Sequence, residues 1–222
     1  NRGAAKASSE YVLFLNPDTL FTDQVLDPLM DKIDQEPEWK IVGIHQRNEK
    51  GKEMYPFGIF LKWWNILGPL RSLERIFLRS DQSKSILNNA AVSYPDWISG
   101  SFILMRRSDY EELGGWDERF WMYCEDMDLS KRAADKNWKR VMYNQLSIVH
   151  MHGGSSRINL DIKAKTKWQV IKSKQLYIEK HLFGTHRILA LLLLKISTYA
   201  ELIVLFPFSK TKRKMLLMSF TE

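Results

Sequence analysis

The apolar run Tyr11-Val12-Leu13-Phe14-Leu15 breaks off at Asn16-Pro17-Asp18. Such a run, closed by a turn signal, predicts a buried parallel strand with a loop at its carboxyl end. Sheets of that kind bind ligands just beyond the carboxyl ends of their strands. A carboxylate placed there, such as Asp18, suits a divalent cation that bridges a diphosphate. Taken alone, Asn-Pro-Asp is simply a good turn; its value depends on what else the chain carries.

The pattern that follows is α/β. Thr22 or Asp23 caps a helix running to about Gln35, and Ile41-Val42-Gly43-Ile44 is a second short strand. Ser99 to Met105 reads as a strand entered through a tight turn, and Asp109 to Leu113 as a short helix stopped by Gly114-Gly115. Glu125 to Asn137 is a helix with acids in its first turn and bases later, as the helix dipole favours. Val141 to Met151 supplies one or two strands, and Lys163 to His181 a basic helix. Between residues 47 and 95 the aromatics of Tyr55-Pro56-Phe57-Gly58 and Trp63-Trp64 precede a basic amphipathic helix over Leu70 to Leu78. They read first as a loop packed on the core, with a sugar-stacking or membrane-touching surface as the alternative.

The second acidic site is the block Phe120-Trp121-Met122-Tyr123-Cys124-Glu125-Asp126, just after Leu113-Gly114-Gly115-Trp116-Asp117-Glu118. A carboxylate pair at a helix start beside an aromatic wall suits general-base chemistry on a hydroxyl of a polar, ring-shaped substrate. The plainer reading, acids capping a helix, is worth a few tenths to about 1 kcal/mol. The Gly-Gly turn and the aromatic run favour function for Glu125 and Asp126, while Asp128 serves the helix end or a basic neighbour. The third site is His150-Met151-His152-Gly153-Gly154-Ser155. Two histidines at i and i+2 of a strand end point the same way, toward a metal or a diphosphate. Zinc is disfavoured without a softer ligand.

With 33 Lys and Arg against 26 Asp and Glu, the net charge of +7 favours anionic partners. The bases are not gathered into an aromatic-laced strip, so nucleotide phosphate and an anionic membrane surface are expected, and nucleic acid is not. One cysteine, Cys124, permits no internal disulfide and suits a reducing compartment. The tail from Ile188 to Phe208 is strongly apolar, interrupted by Lys195 and Glu201 and followed by Lys210, Lys212, Arg213 and Lys214. Mid-segment charge disfavours a bilayer span. An interfacial helix pair with a basic flank fits better, with a packed helix as the alternative.

The ordered set of strand-Asn-Pro-Asp, Gly-Gly-Trp-Asp-Glu with Glu-Asp, and His-x-His-Gly-Gly-Ser closely resembles family 2 glycosyltransferases of GT-A fold. The rhamnosyltransferase-like group of bacterial surface-polysaccharide enzymes is the nearest in pattern. The matching stretches are Asn1 to Gly3 with Tyr11 to Thr19, Trp97 to Arg107, Gly114 to Arg132 and His150 to Ser156. The resemblance implies a GT-A Rossmann-like mixed sheet flanked by helices, present in part over residues 1–182, and an apolar and basic helical tail over 183–222. It implies an inverting transferase that moves a sugar from a nucleotide donor, with dTDP-rhamnose suggested by the group, to a saccharide or polyprenyl-linked acceptor. Asp126 would be the general base and Glu125 would position the acceptor or the base. Asp18, with Asn16 in place of the first acid of the family's DxD motif, would bind Mg or Mn on the diphosphate. His150 would complete that site, with His152 the competing assignment. Asp96, Trp97, Ser99 and Gly100 would line the sugar pocket, and Trp116 and Trp121 the acceptor side.

The family's nucleotide-binding βαβ half is missing from the sequence. The chain is therefore expected to be inactive or unstable without an upstream region. The expected location is the cytoplasmic face of a membrane, held peripherally. A processive synthase is disfavoured because Lys167-Trp168-Gln169 does not match that group's Gln-x-x-Arg-Trp motif. A degenerate GT-A domain that binds a glycan or membrane is the alternative function.

Overall fold

The computed structural model describes residues 1–67, 70, 91–151 and 159–218. The helix expected over Leu70 to Leu78 and the second histidine, His152, lie outside the described residues, Leu70 apart. By internal contacts the chain divides into two compact units. The first comprises residues 1–60, 78–118 and 125–152, and the second residues 61–77, 119–124 and 153–222.

The first unit is built on a mixed sheet. Its central path runs β1 (Tyr11–Leu15), β8 (Phe102–Arg106), β3 (Trp39–Arg47), β9 (Lys139–His150) and β2 (Thr19–Leu20). Two short strands join from the side, β4 (Glu53–Met54) on β3 and β6 (Val92–Ser93) on β9. A separate ribbon pairs β5 (Phe57–Gly58) with β7 (Trp97–Ile98). The expected α/β class and mixed sheet are what the structure has. The orientation of the first strand is not as expected: β1 pairs antiparallel with β8, while the parallel pair is β3 with β9. An apolar run records burial but not strand direction. Within β1 only Val12 is fully buried, as befits the end of the sheet path.

Alternation along the strands produces two apolar faces. Val42, Ile44, Phe102, Leu104, Val141 and Ile148 face the helix α1 (Leu26–Gln35) through Leu29 and Ile33. Ile41, Ile103, Met105 and Met142 face the opposite way, onto α2 (Arg107–Glu112) and α3 (Glu125–Asp135) through Tyr110, Leu129 and Ala133. The result is three layers, helix on sheet on helices. Gly43 of β3 permits close packing between them, since a Cβ there would lie 2.5 Å from Ile98 Cγ2 and 2.8 Å from Met142 Sδ.

The β3–β9 pairing contains a register shift that matters for the site. Ile44 lies opposite Tyr143, but the next residue, His45, lies opposite Ser147. Residues 144–146 are thus extra on β9. An odd insertion exchanges the faces of every side chain beyond it. Val141 and Tyr143 lie on the α1 face before the shift, and Leu146 and Ile148 lie on it afterwards. His150 follows in the same phase and so shares a face with Gln46.

The second unit is helical: α4 (Leu160–His181), α5 (Gly184–Leu205) and α6 (Lys210–Met218). Asn159 caps α4 by accepting from Ile162 N at 2.9 Å. Ala164, Leu202 and Met215 form a small core between the three helices. Lys212 pairs with Glu201 at 2.6 Å, so the two interrupting charges of the tail have different fates: Glu201 is neutralised and Lys195 stays exposed. On α5 the stripe Ala190, Leu194, Thr198 and Leu202 is buried. Ile188, Leu192, Ile196 and Ile203 are exposed. Among the described residues α5 is the one helix long and apolar enough to cross a membrane, with mean hydropathy 2.1 and 22% of its apolar stretch buried.

Candidate active site

Four chain segments meet at one edge of the sheet: the loop after β1, the turn before β8, the end of β3 and the end of β9. The loop after β1 is tied down at both ends. Asn16 N donates to Ser101 O at 3.1 Å, and Thr19 Oγ1 donates to Asn16 O at 2.7 Å. Two-residue strand β2 then pairs Thr19 with His150, and Met151 N donates to Asp18 O at 2.8 Å. These bonds bring the Asp18 carboxylate to the His150 ring, Oδ1 to Nε2 at 3.1 Å. Asn16 Nδ2 lies 3.4 Å from the same nitrogen. The other ring nitrogen, Nδ1, lies 3.0 Å from Gln46 Oε1. His150 is buried, while Asp18 is about one third exposed at the rim.

Asp18 and His150 suit a divalent cation of the Mg or Mn kind. One carboxylate oxygen and one imidazole nitrogen converge, and such ions take their remaining ligands from phosphate oxygens and water. No group of three His, Cys, Asp or Glu side chains converges among the described residues.

The acid pair opens α3. The chain reaches it through Tyr123 and Cys124, both in the left-handed region with φ of 67° and 65°. Two successive non-glycine residues in that region are costly and mark a constrained turn. In the helical unit, Ser173 Oγ donates to Met122 O at 2.6 Å and Lys180 lies over the Phe120 ring, which holds this loop against α4. Asp126 accepts from Gly100 N at 3.1 Å and from Met127 N at 2.8 Å. Burial pushes its carboxyl above the usual carboxylate range, and those two N–H groups oppose the rise. Glu125 is pushed up to about 7, by burial first and by the neighbouring Asp126 charge second. Its Oε2 is buried and accepts no hydrogen bond. Asp126 is the better compensated of the two, since two backbone N–H groups meet its carboxyl while the buried Glu125 Oε2 meets none.

Asp128, behind the pair, is fully buried and ion-paired to Arg132 at 2.9 Å, the basic neighbour expected. Arg132 also donates to Leu113 O and Gly115 O, at 2.6 and 2.8 Å. It thereby fastens the Gly114-Gly115 turn, where both residues have positive φ, to α3. Asn1 secures the other side of that turn. Its Oδ1 accepts from Trp116 N and from Tyr110 Oη, and its Nδ2 donates to Trp116 O and Glu118.

Ser99 and Gly100 lie in the turn between the two acidic sites. Trp116 closes on it: a Cβ at Gly100 would lie 3.7 Å from Asp126 Cβ and 3.9 Å from the Trp116 ring. Trp116 also stacks edge-on against Phe14, ring centroids 5.0 Å apart. Asp96 and Trp97 are engaged elsewhere. Asp96 accepts from Phe60 N at 3.0 Å, and Trp97 Nε1 donates to Ile59 O at 3.0 Å. Trp121 belongs to the helical unit and is 70% exposed. Gln46 had no sequence signal of its own; Asn1, Ser101 and Arg132 fall in stretches that resemble the family, and their bonds to Trp116, Gln46 and Gly115 reach too far along the chain to be read locally.

The sequence model of Glycosyl transferase family 2 matches residues 1–114, which include the Asp18 loop and the Ser99–Gly100 turn. Among curated proteins, the chain is 28% identical over 147 residues to an N-acetylglucosaminyl-diphospho-decaprenol L-rhamnosyltransferase of Mycobacterium tuberculosis. That match covers 64% of this chain and 47% of the relative. It is 27% identical over 132 residues to the rhamnosyltransferase WbbL of Escherichia coli K12, covering 58% and 47%. It is also 27% identical over 164 residues to the O-antigen biosynthesis protein RfbC of Myxococcus xanthus, covering 71% and 12%. The chain thus spans about half the length, or less, of these relatives. A crystal structure of GalNAc-T7 with UDP, GalNAc and Mn2+ aligns with a TM-score of 0.48 and 16% identity, over 82% of this chain and 37% of that one. With the family model covering just over half of its 222 residues, the chain belongs to glycosyl transferase family 2.

Proposed function

We propose that this chain carries the diphosphate and acceptor sides of an inverting glycosyltransferase of cell-surface polysaccharide synthesis. The donor is a nucleotide-sugar, with a rhamnosyl group favoured by the names of the relatives and dTDP-rhamnose by the family resemblance of the sequence, and the acceptor is a saccharide or polyprenyl-linked sugar. One observation carries the proposal. Two acidic sites of different character share one sheet edge, Asp18 with His150 at the rim and Asp126 behind the Ser99–Ser101 turn.

The roles follow from the electrostatics. Asp126 is the ionised member of the acid pair, its charge met by the N–H groups of Gly100 and Met127. It takes the proton of the acceptor hydroxyl as that oxygen bonds to the anomeric carbon. The bond from that carbon to the phosphate oxygen breaks on the opposite side, so configuration inverts and nucleoside diphosphate leaves. Glu125 keeps its own proton and offers a hydrogen-bond donor. A divalent cation on Asp18 and His150 would supply charge neutralisation for the departing diphosphate. Asn16 lines the same site. Ser99, Gly100 and Trp116 face the acceptor side.

The exposed apolar stripe of α5 and the basic residues of α6 support peripheral attachment to an anionic membrane on the cytoplasmic side, where a polyprenyl acceptor is presented. The full-length protein is expected to float with vesicles containing phosphatidylglycerol and to do so less with Ile196→Asp and Ile203→Asp together. Equal flotation of the variant contradicts the attachment.

Nucleoside diphosphate release from a panel of UDP-, GDP- and dTDP-sugars, with a polyprenyl-linked acceptor and with or without Mg or Mn, tests the activity. One donor is expected to be used, and Asp126→Asn to slow turnover about 10²- to 10⁴-fold with donor binding retained. Full turnover in Asp126→Asn removes the base assignment, and no release from any donor by the folded native protein favours a binding module.

The protonation of Glu125 has a separate signature in stability. Folded, its carboxyl titrates near 7; unfolded, it titrates near the ordinary value of 4.5. The folded state therefore holds a proton that the unfolded chain has lost, and stability falls as pH rises through that window. Glu125→Gln cannot ionise, so its stability relative to the native sequence should rise between pH 4.5 and 7, by on the order of 2 kcal/mol. Urea midpoints at pH 5 and pH 8 measure this. A pH-independent difference contradicts a protonated Glu125.

A further inference from the structure

Behind the rim site runs a buried polar chain that no role above uses. Gln46 is 2% exposed and Ser101 4% exposed. Gln46 Oε1 lies 3.0 Å from His150 Nδ1 and also accepts from Ser101 Oγ at 3.2 Å, and Gln46 Nε2 lies 2.8 Å from the same Ser101 Oγ. Ser101 Oγ reaches Ser99 Oγ at 3.1 Å. Buried polar groups must be matched donor to acceptor, so the chain has a direction. An amide oxygen at Nδ1 requires that nitrogen to carry the proton. The opposite nitrogen, Nε2, then presents a lone pair. The position of Asn16 agrees: its amide nitrogen, a donor, lies 3.4 Å from Nε2. The Asp18 carboxylate oxygen faces the same lone pair at 3.1 Å, which is an arrangement that a cation joins.

We propose that Gln46 is a positioning residue that holds His150 in the Nδ1–H tautomer and so presents the Nε2 lone pair beside Asp18. Resting on the functional reading above, Gln46 also links the two ends of the site. Through Ser101 it braces the turn whose Gly100 N–H meets the base Asp126. The register shift of β9 is what places His150 on the face of Gln46. Asn16 is accounted for in the same terms: an amide donates to the lone pair, whereas a second carboxylate could not.

The test is the ¹⁵N spectrum of histidine-labelled full-length protein, with His150 assigned by its loss in His150→Asn. The native sequence is expected to show a protonated Nδ1 and an unprotonated Nε2. Gln46→Met keeps the volume but removes the acceptor. His150 should then move toward the Nε2–H tautomer, which donates to Asp18, and Mn2+ affinity measured with nucleoside diphosphate present should fall about 10- to 100-fold. An Nε2–H tautomer in the native protein overturns the proposal, and that spectrum decides even if Gln46→Met does not fold. Unchanged tautomer and unchanged Mn2+ affinity in a folded Gln46→Met overturn it as well. If the native protein binds no Mn2+, the cation of the functional reading fails, while the tautomer still judges Gln46.

Discussion

The three-residue shift between β3 and β9 is the constraint on which the rim site depends. Parallel strands that stayed in register would turn His150 to the face of α2 and α3, away from Gln46. The insertion at 144–146 reverses the phase and brings His150 onto the α1 face, where a buried amide awaits it. The two bridges of β2 then carry Asp18 to the same point. Two central strands and one very short strand thus position three side chains from residues 18, 46 and 150. The apolar faces on either side of the sheet supply the rigidity, because a one-residue slip would exchange the side chains of two packed faces and undo the fit of both.

The acid pair Glu125 and Asp126 follows different physics. Its carboxyls are held where ionisation is costly, and only one of them is compensated. Asp126 receives two backbone N–H groups, whereas Glu125 has a buried oxygen with no donor. Environment thus gives two adjacent acids different compensation for their burial. Arg132 binds the Gly-Gly turn to the same helix, so the aromatic side chain of Trp116 and the carboxylate of Asp126 are placed by one fastening. The strained entry at Tyr123 and Cys124 is consistent with a turn shaped for position rather than for stability.

Much of this was legible in the residues. The strand Tyr11–Leu15, the stop at Gly114-Gly115, the acidic start of the helix at Glu125 and the basic helix ending at His181 all carry strong local signals, and each lies within a few residues of its expected place. The helix expected from Thr22 or Asp23 begins at Leu26, since neither side chain caps it. The direction of β1 was not legible, because an apolar run reads the same in either pairing. Nor was the shift in β9: Asn144-Gln145-Leu146 contains no glycine or proline to mark it. Asp96 and Trp97 were expected at the sugar pocket, yet the atoms they use for hydrogen bonds serve Phe60 and Ile59. Gln46 escaped notice since its meaning lies in partners 55 and 104 residues away.

A crystal structure of the full-length protein with a nucleoside diphosphate and Mn2+ tests the central claim most directly. The cation is expected to touch Asp18 and His150 Nε2, with the diphosphate on it and the Asp126 carboxylate turned toward the side from which an acceptor would approach. A diphosphate bound away from Asp18, or an Asp126 walled off from it by the Ser99–Ser101 turn, would contradict the assignment of these two acids to one reaction.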